Sequence, residues 1–194
     1  YNNTSHYLSE NSFENFLNEN KVVGISGIDT RSITKKIRSS GTMKCVICSE
    51  NESISEIKRM LNSYENKNLV SQVSTNSIKH ISGNGPKVAL LDFGSKKNII
   101  QNLKDRDCDI TIFPYNASYE SIMSINPKGI LLSNGPGDPK DLGEIMDTIK
   151  KLIGNLPIFG ICLGHQLLSL ALGGDTYKMK FGHRGGNHGV YDKD

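Results

Sequence analysis

Between residues 87 and 172 four apolar runs, KVALLDF, DITIFPY, GILLSNG and PIFGICL, alternate with stretches whose apolar residues recur at helical spacing. The pattern predicts four strands. The helices between and after them run from Ser95 to about Arg106, a short one from Ser118, one from Asp141 to Leu152, and one from His165 to Leu172. Near-continuous apolar strands separated by helical crossovers argue for a doubly wound, mostly parallel sheet with helices on both faces and right-handed connections. In such sheets ligands bind beyond the carboxyl ends of the strands. Three loops fall there, DFGSKKN, SNGPGDP and GICLGHQ, and they are expected to converge.

The first 65 residues have a different rhythm. Phe13, Phe16 and Leu17 are spaced for a short amphipathic helix, and VVGISGID (22–29) reads as a strand. Asp29 and Thr30 are suited to cap a helix over RSITKKIRSS, which Gly41 ends. MKCVICS (43–49) reads as a second strand, and Ser53 with Glu56 forms a capping box for a helix to about Tyr64, with Ile54, Ile57 and Leu61 on one face. The expected organisation is a smaller N-terminal α/β domain at 1–65, a polar linker at 66–86 ending in SGNGPK, and a larger α/β domain at 87–194.

Composition narrows the choice of partners. Of the 194 residues 36% are hydrophobic, and the net charge is +3 with basic residues spread along the chain, so there is no electrostatic footprint for nucleic acid. No run approaches the ~20 apolar residues that span a bilayer, and no signal-peptide pattern opens the chain, so a cytoplasmic protein without a membrane partner is expected. Cys45, Cys48, Cys108 and Cys162 are too few and too scattered for a disulfide framework and read as reduced thiols.

Cys162 stands out from the other three. Gly160, Cys162 and Gly164 fit the nucleophile-elbow spacing G-x-[S/C]-x-G, and the strand, tight turn and helix that this motif requires surround it. Glycines on either side let strand and helix pass closely. A cysteine at the head of a helix meets unpaired N–H groups and the helix dipole, both favourable to a negative sulfur. The N–H of Leu163 is placed for half of an oxyanion hole, and the SNGPGDP turn, with Gly135 and Gly137, is the natural source of the second donor. The chemistry predicted is acyl transfer through a thioester.

GICLGHQLL resembles the active-site motif of class I, triad-type glutamine amidotransferases, which release ammonia from glutamine. GIDTRSITKKIRSSG, DFGSKKNII and MKFGHRGGNH narrow the resemblance to the small, glutaminase subunit or domain of carbamoyl phosphate synthetases, from about Tyr7 onward. The resemblance implies a flavodoxin-like amidotransferase fold, Cys162 as nucleophile, and Gly135, Gly137, Leu163 and Gln166 as positions that bind L-glutamine. It also implies delivery of ammonia to a synthetase partner, separate or fused, that makes carbamoyl phosphate for pyrimidine or arginine synthesis. No G-x-x-x-x-G-K-[ST] loop is present, so no cofactor is expected in this portion and ATP and Mg are assigned to the partner.

The sequence departs from the family in several places. The family's catalytic histidine and glutamate lie in an H-x-E pair downstream of the cysteine, and these 194 residues contain no H-x-E. An early serine that contacts glutamine has no counterpart, and Gly189 replaces a proline after GGNH. The chain therefore reads as a fragment truncated at both ends, inactive alone for want of a base.

Rival readings attach to other residues. His165 follows the elbow by three positions, but an elbow cysteine projects away from its own helix and the resembling family uses a different histidine, so His165 is expected to have a structural or polar-packing role rather than act as base. His183 and His188 in HRGGNH lack a third ligand at known spacing, so a turn is expected and no metal site. Cys45 and Cys48 form a C-x-x-C inside a strand-like run, which suits core packing. DFG at 92–94 has no kinase catalytic loop beside it. Two functional alternatives stand beside the glutaminase: a non-catalytic regulatory domain of the synthetase, and a cysteine hydrolase with another substrate.

Overall fold

The computed structural model describes residues 6–48, 51–65, 67–182, 189 and 191, which fall into two units. The divisions lie between Tyr64 and Glu65 and between Lys178 and Met179, so the segment from Met179 groups with the first unit.

In the first unit three helices form where capping chemistry starts them. In α1 (Phe13–Glu19) the Asn15 N–H donates to Ser12 Oγ at 3.1 Å. Asp29 opens α2 (Thr30–Ser40) by accepting from the Ser32 N–H at 2.9 Å, and Gly41, at φ 86°, closes it. Ser53 opens α3 (Ile54–Ser63), accepting from the Glu56 N–H at 3.2 Å and donating its hydroxyl to the Glu56 carboxylate at 2.8 Å. The two strands expected at 22–29 and 43–49 are not formed among the described residues. An apolar run becomes a strand only beside a neighbour that takes its N–H and C=O groups. Near the second run, a bond from the Thr42 N–H to the Lys180 carbonyl at 3.3 Å starts no ladder. No residue of α1, α2 or α3 is buried, and Cys45 and Cys48 are exposed rather than packed in a core.

The second unit is built on a five-stranded sheet in the order β1-β3-β2-β4-β5. Its strands are β1 (Lys79–Ile81), β2 (Lys87–Asp92), β3 (Asp109–Pro114), β4 (Gly129–Leu132) and β5 (Ile158–Gly160). β2 pairs in parallel with β3 and β4, and β4 with β5, while β1 runs antiparallel along the edge of β3. Chain order reverses at β2, whose neighbours are the next two strands in sequence. The crevice between the carboxyl ends of β2 and β4 is thus the switch point at which such sheets bind ligands.

Alternation along the strands divides the core. Ala89, Leu91, Phe93, Phe113, Ile130 and Leu132 face one side with residues from α4 (Leu69–Val73), α6 (Tyr119–Met123), α7 (Gly143–Leu152) and α8 (Leu163–Ala171). Leu90, Ile110, Ile112 and Leu131 face the other, against Ile99, Ile100 and Leu103 of α5 (Lys97–Lys104). Coverage of this second face is uneven. Near β5 an open groove of about 370 Å³ is lined by α5 together with Leu131, Phe159 and Ile161, and Phe159 is 67% exposed.

Residues 66–86, read from composition as a linker, carry α4 and β1 within this unit. Val70 is buried in the core, and the Tyr115 N–H donates to Ser74 Oγ at 3.1 Å.

Candidate active site

The sequence around Cys162 folds into a sharp corner. After β5 the Ile161 N–H donates to the Leu132 carbonyl at 2.9 Å, and the next residue, Cys162, takes φ 52° and ψ −106° as the cap of α8. A residue with a side chain pays about 1–3 kcal/mol to stand in such a region of backbone space. The thiol is exposed.

Two glycines make the corner geometrically possible. A Cβ at Gly160 would stand 2.6 Å from both the Gly164 carbonyl carbon and the His165 nitrogen, and a Cβ at Gly164 would overlap the Leu132 carbonyl oxygen. The Gly164 N–H is shared between the Ser133 carbonyl at 3.1 Å and the Ile161 carbonyl at 3.0 Å, which ties the head of α8 to β4. The Gln166 N–H donates to the Cys162 carbonyl at 3.0 Å and starts the regular helix.

The loop after β4 lies against this corner. A Cβ at Gly135 would overlap the Phe93 carbonyl oxygen and come within 2.7 Å of Leu163 Cδ2, so only glycine fits between the end of β2 and the first residue of α8. Leu163 is itself buried. Neither the Leu163 N–H nor the Gly135 N–H donates to a protein group among the described residues. Gly137, at φ 94°, is required for its backbone angle rather than for space, since the nearest atom to a Cβ there is Leu69 Cβ at 3.9 Å. Gln166 is half-buried one helical turn past the corner, while His165 is exposed and makes no side-chain hydrogen bond to Cys162.

Sequence reasoning missed the bonds that hold these loops together. Asp92, at the end of β2, accepts from the N–H groups of Gly94 at 3.0 Å, Ser95 at 2.7 Å and Thr75 at 2.8 Å. Lys96 stands in an extended conformation, φ −66° and ψ 137°, so the helix expected from Ser95 begins at Lys97 as α5. The only local signal was an aspartate two residues before glycine, a turn signature. Ser133 and Asn134 link the same loop to the one after β4. Nearby, burial and then the Glu144 carboxylate hold the Tyr115 phenol above its ordinary range. Among the described residues no group of three or more His, Cys, Asp and Glu side chains could hold a metal, and His183 and His188 lie outside them. The groove beside Phe159 includes none of the candidate site residues.

This geometry, a cysteine at a strained strand-to-helix corner facing a glycine loop at a sheet's switch point, agrees with the comparisons. Residues 89–194 match the glutamine amidotransferase class-I family, and the chain belongs to that family. Residues 1–47 match the carbamoyl-phosphate synthase small chain, CPSase domain. The chain is 59% identical over 191 residues to the carbamoyl phosphate synthase small chain of Clostridium acetobutylicum, which covers 98% of this chain and 54% of that protein. It is 52% identical over 188 residues to the small chain of Clostridium perfringens, covering 97% and 54%. To the carbamoyl phosphate synthase pyrimidine-specific small chain of Bacillus subtilis it is 45% identical over 187 residues, covering 96% and 51%. The chain thus spans about half the length of the curated relatives it matches. No helix among the described residues is long and apolar enough to cross a membrane.

Proposed function

We propose that the chain is the glutaminase portion of a carbamoyl phosphate synthase small chain, with Cys162 as its nucleophile. The observation that carries this reading is the Cys162 corner, with its exposed thiol and two unbonded N–H groups on adjoining residues, Leu163 and Gly135. The Cys162 thiolate attacks the side-chain amide carbon of L-glutamine, forming a C–S bond. The oxygen of the tetrahedral intermediate accepts from the Leu163 and Gly135 N–H groups. Collapse breaks the C–N bond, and the nitrogen leaves with a proton as ammonia. Water then attacks the glutamyl thioester, the C–S bond breaks, and glutamate and free thiol result. Gly137 and Gln166 complete the glutamine pocket in this reading.

Proton transfer needs a base, and the resemblance assigns it to a histidine and glutamate in an H-x-E pair that these 194 residues do not contain. Ammonia passes to a synthetase partner, separate or fused, which joins it to bicarbonate using ATP and Mg, and the carbamoyl phosphate serves pyrimidine or arginine synthesis. The name of the Bacillus subtilis relative supports the pyrimidine branch.

The test is made in the full-length protein with its synthetase partner. Cys162→Ser is expected to abolish carbamoyl phosphate formation from glutamine while formation from added ammonia survives. Glutamine-dependent synthesis at the parental rate in that variant would overturn the proposal and favour a regulatory domain.

A further inference from the structure

We infer that Ser133 and Asn134 are positioning residues that set the direction of the Gly135 N–H, an inference that rests on the glutaminase reading above. Gly135 shares a peptide plane with the Asn134 carbonyl, and in a trans peptide the N–H and the C=O point opposite ways. The Ser133 hydroxyl donates to that carbonyl at 2.9 Å. Ser133 is fully buried, so its hydroxyl holds the carbonyl on the inner side of the loop and turns the Gly135 N–H away from it. The same oxygen accepts from the Phe93 N–H at 2.9 Å, so the hydroxyl is fixed at both ends.

Asn134 supplies the second restraint through its side chain. Its Oδ1 accepts from the Lys96 N–H at 3.0 Å, and its Nδ2 donates to the Gly94 carbonyl at 3.1 Å. One partner is a donor and the other an acceptor, so the amide fits in a single orientation, and a carboxylate would satisfy only the first. The loop from β2 is in turn held by Asp92. Gly135 therefore sits between a fixed peptide plane behind it and Leu163 in front, where any side chain would collide. Without these bonds the glycine has wide conformational freedom, and its N–H leaves the position in which it meets a developing oxyanion.

The test, made in the full-length protein with its synthetase partner, compares two reactions of Cys162, each read by mass spectrometry of the Cys162 peptide because Cys45 and Cys48 are also exposed. A chloromethyl ketone analogue of glutamine first adds Sγ at its carbonyl carbon, which becomes tetrahedral with the charge on oxygen, and then forms the lasting Sγ–CH2 bond as chloride leaves, so its rate reports the oxyanion donors. Iodoacetamide alkylates the thiolate by direct displacement of iodide, so it reports thiolate fraction and access without the oxyanion donors. Ser133→Ala and Asn134→Ala are each expected to slow labelling by the analogue about tenfold or more, with iodoacetamide rates within about twofold of the parent. Equal analogue rates in parent and variants, or parallel loss with both reagents, would overturn the positioning role. If Ser133→Ala fails to fold, Asn134→Ala decides, since its side chain is only half-buried. A full-length parent protein that shows no selectivity for the glutamine analogue at Cys162 would instead refute the glutaminase reading.

Discussion

Replacing Gly164 by alanine tests the closeness of strand and helix at the corner. A Cβ there would lie 2.6 Å from both the carbonyl carbon and the Cβ of Leu132, and closer still to its carbonyl oxygen. Carbon atoms in van der Waals contact sit about 3.5–4.0 Å apart, so the head of α8 must move roughly 1 Å off β4. The neighbours are backbone atoms of a central strand and cannot rotate aside. Overpacking of this kind costs about 1–3 kcal/mol, and the bond from the Gly164 N–H to Ser133 weakens with it, adding about 0.5–1.5 kcal/mol. A loss of about 2–4 kcal/mol is therefore expected, a large part of the stability of an ordinary domain. Gly143, at the start of α7, is the control. Nothing lies within 4 Å of a Cβ there, and its φ is not positive, so Gly143→Ala is expected to be neutral or to stabilise by up to about 1 kcal/mol. Urea titrations followed by far-ultraviolet circular dichroism read both variants. Equal midpoints for the two would refute the steric reasoning.

Three more outcomes follow from the same structure. Ser133→Ala leaves the buried Phe93 N–H without its acceptor and is expected to cost about 1–3 kcal/mol in the same titration, with an effect below 0.5 kcal/mol, the usual range for surface changes, counting against it. Cys162→Gly removes backbone strain of about 1–3 kcal/mol against a glycine entropy cost of about 0.5–1 kcal/mol, so a net gain of roughly 1 kcal/mol in unfolding free energy is expected, whereas Cys162→Ala keeps the strain and shows no gain. The Tyr115 phenol has its folded value raised by burial and by Glu144, so its contribution is complete below the ordinary value of 10.0 and is lost as pH rises through the folded value. Tyr115→Phe is expected to flatten the fall in stability above that pH, and an unchanged alkaline profile would show that the phenol carries none of it.

Much of the second unit could be read from the sequence because its strands are buried on both faces or nearly so. Ala89, Leu90 and Leu91 are wholly buried in succession, and such runs declare themselves without any partner being known. β1 was hidden for the opposite reason. It lies at an edge with Lys79 and His80 exposed, and its pairing with β3 depends on residues thirty positions away. α4 contributes one buried residue, Val70, to an otherwise polar stretch. In the first unit the apolar runs at 22–29 and 43–49 had strand composition, but composition supplies no neighbour to pair with. At the site, Gly160, Cys162 and Gly164 were legible because their spacing across the strand-to-helix turn is itself a local pattern. Ser133 and Asn134 were not, since they act between loops about forty residues apart, and no periodicity records such a bond; Asp92 carries a local turn signature, but its bond to the Thr75 N–H joins a segment that composition reads as linker.

The angle at Cys162 also marks what the fold gives up at its corner. Folding alone would prefer glycine there, because glycine enters that region of backbone space without strain. Robustness and reactivity therefore pull in opposite directions at one residue, and a substitution chosen only to make the protein more stable would remove the thiol. A single dihedral angle of 52° locates that trade-off.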